Sequence, residues 1–148
     1  GEEPLDLGTG VLLAIYHDAA EILTGDLPTP VKYFSSEISE AYKTVEAAAC
    51  QSLLDLLPAD LREDYTPYLL PADHYPRYLP YLKAADRFSA LVKCMEETRQ
   101  GNFEFRRAAA QTREAITAMA LPEADCFLQD FIPAFEKTLD ELQTQEEL

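Results

Sequence analysis

Apolar residues recur at helical spacing along this chain from one end to the other, with no convincing run of the period-two alternation that a half-buried strand requires. That regularity predicts an all-α protein. Ten prolines against five glycines cut the pattern into pieces, because proline lacks an amide hydrogen and fixes its own φ. The spacing predicts a first helix over about Val11 to Leu23, apolar nearly all round and therefore buried on most faces. Gly25 stops it, and Pro28 and Pro30 keep it from resuming. Ser35 or Ser36 caps a second helix, whose apolar positions from Ile38 to Leu56 keep helical spacing as far as Pro58. The stretch from Pro58 to Pro80, both ends included, holds five prolines and four tyrosines. They read as a short helix near Asp60 to Tyr65 and then an irregular segment, with tyrosines packing it onto the helices. A third long helix is expected over Leu79 to Gln100, with Leu82, Ala85, Ser89, Val92 and Met95 on one stripe and Gly101 as its stop. Phe103 to Ala120 makes a fourth. Glu123 to Leu142 makes a fifth, with Phe127, Phe131, Ile132, Phe135, Leu139 and Leu142 inward, a kink at Pro133 and a polar, fraying tail from Gln143.

A chain of 148 residues fits one domain with a real core, so residues 1–148 are read as a single domain. Twelve Lys and Arg against 27 Asp and Glu give a net charge of −15, which argues against a nucleic acid polymer as partner, since phosphate neutralisation needs clustered cations. A small phosphorylated substrate stays possible if a metal ion supplies the local positive charge. Cys50, Cys94 and Cys126 lie far apart without a CxxC pair and read as three reduced core thiols. The longest apolar stretch, around Val11 to Ile15, is too short to span a bilayer, and the acidic N-terminus has no signal-peptide character. A cytoplasmic protein is the expectation.

The segment Tyr16-His17-Asp18-Ala19-Ala20-Glu21 sets three ionisable groups into the most apolar helix. At about 100° per residue, Glu21 falls angularly between His17 and Asp18 one turn on, so all three share one arc. Buried carboxylates need a counter-charge, and a divalent cation is one candidate. Imidazole nitrogen beside carboxylate oxygen suits Zn, Mn, Fe, Co or Ni. By residue types alone, a salt-bridged polar face with a satisfied histidine accounts for the segment at least as well.

The ungapped run YHDAAEILTGDLPTPVKYF, from Tyr16 to Phe34, closely resembles the HD-domain phosphohydrolases, and within them the bacterial 5′-deoxynucleotidases. Those enzymes carry His-Asp-x-x-Glu followed by Thr-Gly-Asp-Leu-Pro-Thr-Pro. The likeness continues more loosely through LKAADRFSALVKCMEE and FIPAFEKTLDEL. It implies an all-α HD-domain helical bundle hydrolysing deoxynucleoside 5′-monophosphates, or a similar small phosphoester, with one divalent transition metal and as a homodimer. His17 and Asp18 match the family's paired metal ligands, Asp86 the distant ligand, and Glu21 the catalytic glutamate. Asp26 matches a residue at the sugar end of the nucleotide site, and Thr29 and Lys32 sit in the same matched run as substrate-binding candidates. Simpler readings stand beside these: Asp86 paired with Lys83, Arg87 or Lys93, Asp26 as a turn aspartate, and Lys32 as a solvated lysine.

The family's metal set begins with a histidine well upstream of the His-Asp pair. None of the sixteen residues before His17 is histidine, and His74 does not match that ligand. The family's N-terminal helices have no counterpart here, so the chain reads as a fragment, or as the ordered part of a longer protein. The alternatives are an HD phosphohydrolase acting on another phosphoester and a non-catalytic helical interaction module derived from one.

Overall fold

Proline and glycine set most of the boundaries in the structure, a computed structural model that describes residues 4–32, 34–138 and 141. Every regular element among these residues is helical. The chain divides into two compact units, Gly1–Leu82 and Lys83–Leu148.

The first unit opens with α1, Leu7–Tyr16. The Asp6 carboxylate caps it by accepting the Thr9 amide hydrogen at 2.6 Å, which holds the Asp6 carboxyl below its usual range. The expected helix from Val11 to Leu23 is therefore not one element. It starts four residues earlier, gives way to a tightened turn over residues 17–20, and resumes as the short α2, Glu21–Thr24. Nor is α1 buried on most faces: Leu13 is fully buried, while Leu7, Val11 and Ile15, spaced by four, stand exposed. Gly25 ends α2 with φ +68°, a conformation that favours glycine, and its N–H donates to the Glu21 carbonyl. Residues 29–32 form one further helical turn, α3, with the side chains of Thr29 and Pro30 outside the described set.

Helix α4, Ser36–Asp55, matches the expectation, with the Ser35 hydroxyl accepting from the Ile38 amide. The following segment is more ordered than its composition suggests. Helix α5 runs Ala59–Leu69, α6 runs Pro71–His74, and a 3₁₀ turn covers Pro76–Tyr78. Pro71 and Pro76 each stand at the start of an element, where the missing N–H has no intrahelical partner to lose. Tyr16, Tyr65, Tyr68, Tyr75 and Tyr78 form a chain of ring contacts with centroids 5.6–6.4 Å apart, tying α1 to α5 and to the 3₁₀ turn. The Tyr78 hydroxyl also accepts from the Asp6 amide at 2.9 Å.

Most of helix α7, Leu79–Arg99, belongs to the second unit, where it is followed by α8, Phe105–Thr117, and α9, Pro122–Asp130. The core of this unit joins Ala84 and Leu91 of α7 to Ile116, Ala124 and Ile132. The expected α7 stripe is displaced: Ala85 and Ser89 are exposed, and the buried positions are Ala84, Leu91 and Cys94. Gly101 stops the chain's helical course with φ +94°. The expected fifth helix ends at Asp130 and passes into a 3₁₀ turn over Ile132–Glu136. Pro133 therefore changes the winding rather than kinking one helix. Ile132 is fully buried, but Phe131 and Phe135 are exposed rather than inward, and Leu139 and Leu142 lie outside the described residues. Cys94 is buried and Cys50 half-buried; Cys126 is not a core thiol but an exposed one. No helix among the described residues is long and apolar enough to cross a membrane.

Candidate active site

His17 and Asp18 sit where α1 gives way to the turn. The amides of Ala19, Glu21, Ile22 and Leu23 each donate to the carbonyl three residues back, which is tighter than α-helical winding. In such a segment side chains three apart eclipse, so Glu21 stands over Asp18 rather than between His17 and Asp18. The shared arc expected from the sequence is kept, with a different register.

Two contacts fix the imidazole. His17 Nδ1 lies 2.8 Å from the Ala14 carbonyl oxygen, which can only accept, so Nδ1 carries a hydrogen. His17 Nε2 lies 2.9 Å from Asp18 Oδ2. The imidazole nitrogen and the carboxylate oxygen thus stand side by side, contributed by adjacent residues. A histidine whose second ring nitrogen is tied to a backbone carbonyl is the usual arrangement for a metal ligand. The donor set, one imidazole and one carboxylate converging from adjacent residues, fits a divalent transition metal.

Glu21 is half-buried. Burial lifts its carboxyl above the usual range, and the charges of Asp18 and Asp26 add to the lift, while Lys32 and His17 oppose it. Asp26 is exposed in the turn after Gly25 and thus helps to keep a proton on Glu21. Lys32 is not simply solvated. Its Nζ donates to Glu46 Oε1 at 2.8 Å and stands 4.7 Å from the centre of the Tyr42 ring, both groups lying on α4. Tyr42 in turn donates its hydroxyl hydrogen to the Gly25 carbonyl at 3.2 Å. Sequence reading missed this pair, although Tyr42 and Glu46, four apart on one helix, share a face and are suited to hold a common cation.

Thr29 has its backbone in α3, but its side chain lies outside the described residues. Asp86 belongs to the second unit, is exposed, and accepts from Lys83 Nζ at 3.1 Å. The structure thus brings together His17, Asp18 and Glu21, with Asp26 and Lys32 close enough to act on the Glu21 charge. Among the described residues, no three His, Cys, Asp or Glu side chains form a group that could hold a metal ion.

Comparison with known proteins identifies the family of the chain. A family model described as 5′-deoxynucleotidase YfbR-like matches residues 1–135, across both units. A 5′-deoxynucleotidase of Vibrio cholerae is 47% identical over 131 residues, covering 88% of this chain and 68% of the relative. One of Vibrio atlanticus is 44% identical over the same shares. The 5′-deoxynucleotidase YfbR of Escherichia coli is 42% identical over 131 residues, covering 88% of this chain and 66% of its own. The chain therefore spans about two thirds of the length of these relatives.

Proposed function

Because the chain belongs to the YfbR-like 5′-deoxynucleotidase family, we propose that it is a metal-dependent HD-type phosphohydrolase acting on deoxynucleoside 5′-monophosphates. The products are the deoxynucleoside and inorganic phosphate. The observation that carries this reading is the imidazole of His17, with Nδ1 anchored to the Ala14 carbonyl and Nε2 aimed at the Asp18 carboxylate. A single family match over residues 1–135 favours the reading of the chain as one domain.

In this reading His17 and Asp18 hold the cation, together with Asp86. When bound, a divalent metal polarises the phosphoryl group and makes water a competent nucleophile near neutral pH. The chain's own groups do the rest. Glu21 lies one tight turn from Asp18 with its proton affinity raised by burial, which suits it to take the proton of the attacking water and return one to the departing 5′ oxygen. Asp26, exposed beyond Gly25, accepts from a sugar hydroxyl in this reading. Lys32 contributes positive charge that partly offsets the acidic cluster, held in place by Glu46 and the Tyr42 ring. Thr29 completes the substrate-binding candidates from the sequence.

The test is phosphate release from deoxynucleoside and ribonucleoside 5′-monophosphates by the purified chain with added Mn²⁺ or Co²⁺. The reading expects release of phosphate and deoxynucleoside in equal amounts, abolished by His17→Ala. Equal rates in wild type and His17→Ala refute it.

A further inference from the structure

The second unit holds a cavity of about 350 Å³ built from residues that the phosphohydrolase reading does not use. It opens between α7 and α8, and Phe135 of the closing 3₁₀ turn walls one side. Its floor is apolar: Leu91 is fully buried, and Met95 follows it by one turn on the same helix. Its charged lining is mostly of one sign. Arg99, at the end of α7, and Arg106 and Arg113, both on α8, account for three of the only twelve cations in a chain of net charge −15. Glu136 is the one carboxylate in the lining, and it lies 3.4 Å from Arg113, a long contact between two exposed side chains. Arg106 stacks its guanidinium 4.2 Å from the centre of the Phe103 ring, which holds the group in place without neutralising it.

The dimensions select the occupant. A cavity of this size falls in the range that takes small ligands, whereas a docked helix, about 10 Å across, does not enter it. Arg106 and Arg113 are two turns apart on one helix, about 10 Å along its axis. A chain of phosphates offers each of the three guanidinium groups its own oxygens, and guanidinium groups match phosphate oxygens with paired hydrogen bonds. The apolar floor calls for a flat or hydrophobic body attached to that chain. We propose that this cavity is a second binding site, for a nucleoside polyphosphate, with the base on Met95 and Phe135 and the phosphates along Arg99, Arg106 and Arg113. This site does not depend on the hydrolytic reaction proposed for the first unit.

Calorimetric titration of the full chain with adenosine triphosphate, inorganic tripolyphosphate and adenosine, all without divalent metal, tests it. The site predicts that adenosine triphosphate binds at least about tenfold more tightly than either half-ligand, since both the floor and the rim contribute. Arg106→Ala and Arg113→Ala each weaken it by about tenfold, and His17→Ala leaves it unchanged. Both arginines are solvent-facing, and circular dichroism of each variant checks that the fold is kept. Tripolyphosphate binding as tightly as adenosine triphosphate, or loss of binding in His17→Ala but in neither arginine variant, overturns the proposal. So does the absence of binding to wild type. Neither of those last two results bears on whether the first unit hydrolyses monophosphates.

Discussion

Replacing Glu21 with glutamine separates chemistry from stability in a way few substitutions at a site can. Glutamine keeps the length and the hydrogen-bonding oxygen but cannot take a proton. Removing a positioned general base costs roughly 10²- to 10⁴-fold in turnover, equivalent to about 3 to 5 kcal/mol of transition-state stabilisation. The fold responds in the opposite direction. Burial first, then the charges of Asp18 and Asp26, raise the Glu21 pKa in the folded chain. An acid whose folded pKa exceeds its unfolded value binds more protons when folded, so its contribution to stability falls as pH rises through that interval. Glu21→Gln therefore matches wild type in stability below the usual carboxylate range and equals or exceeds it above the raised value. The side chain is half-buried, so solvent screening keeps the gain under about 1 kcal/mol. Phosphate release at saturating metal, with thermal denaturation at about pH 4 and about pH 8 without added metal, reads both quantities. A variant that turns over within about threefold of wild type refutes the assignment of Glu21 as base. One that loses stability at the higher pH refutes the electrostatic account of the site.

Two further outcomes follow from neighbouring geometry. Lys32→Met removes the cation shared by Glu46 and the Tyr42 ring, both within contact of it. It should cost about 1 to 2 kcal/mol in urea denaturation, because the half-buried Glu46 carboxylate loses its charged donor, and Glu46→Gln in the Lys32→Met background should recover part of the loss. No recovery counts against the pair. Cys126 is the exposed thiol, yet its Sγ donates to Asp130 Oδ2 at 3.1 Å, which raises its pKa. Alkylation by iodoacetamide at about pH 8 should speed up several-fold in Asp130→Asn, since the thiolate is the reactive form. An unchanged rate means the carboxylate does not govern that thiol.

The existence and order of the long helices were legible because their stops are chemical. Gly101, just beyond α7, adopts positive φ, and Ser35 caps α4 as its side chain suggests. What the sequence could not convey was which way an element faces when its pattern is not amphipathic. From Val11 to Ile15 every position of α1 is apolar, so periodicity gives no preferred face, and Val11 and Ile15, expected inward, stand exposed. In the last element the error came from winding. A 3₁₀ turn advances about 120° per residue instead of 100°, so beyond Pro133 the inward positions projected from α-helical spacing drift, and Phe135 emerges exposed. The segment from Pro58 to Pro80 misled by composition, because proline at a helix start is permissive rather than disruptive. At the site, the local triad of His17, Asp18 and Glu21 could be read from neighbours in sequence. The Lys32–Glu46 pair, fourteen residues apart and across two helices, could not. Thr29 entered the site through resemblance to the family, and Asp86 through that resemblance and its place beside Leu82, Ala85 and Ser89.

Mn²⁺ binding by the full chain, followed by equilibrium dialysis with elemental analysis of the protein compartment, bears most directly on the claim that His17 and Asp18 form a metal centre. The Nε2–Oδ2 approach at 2.9 Å sets the two donor atoms side by side, and because metal binds deprotonated ligands, affinity should rise with pH. His17→Ala, Asp18→Ala and Asp86→Ala should each weaken binding by at least about tenfold, while Lys83→Ala, which frees Asp86 from its present partner, should not weaken it. The same Mn²⁺ content in wild type and in all three ligand variants, at every metal concentration, contradicts the assignment and leaves the pair as a surface salt bridge.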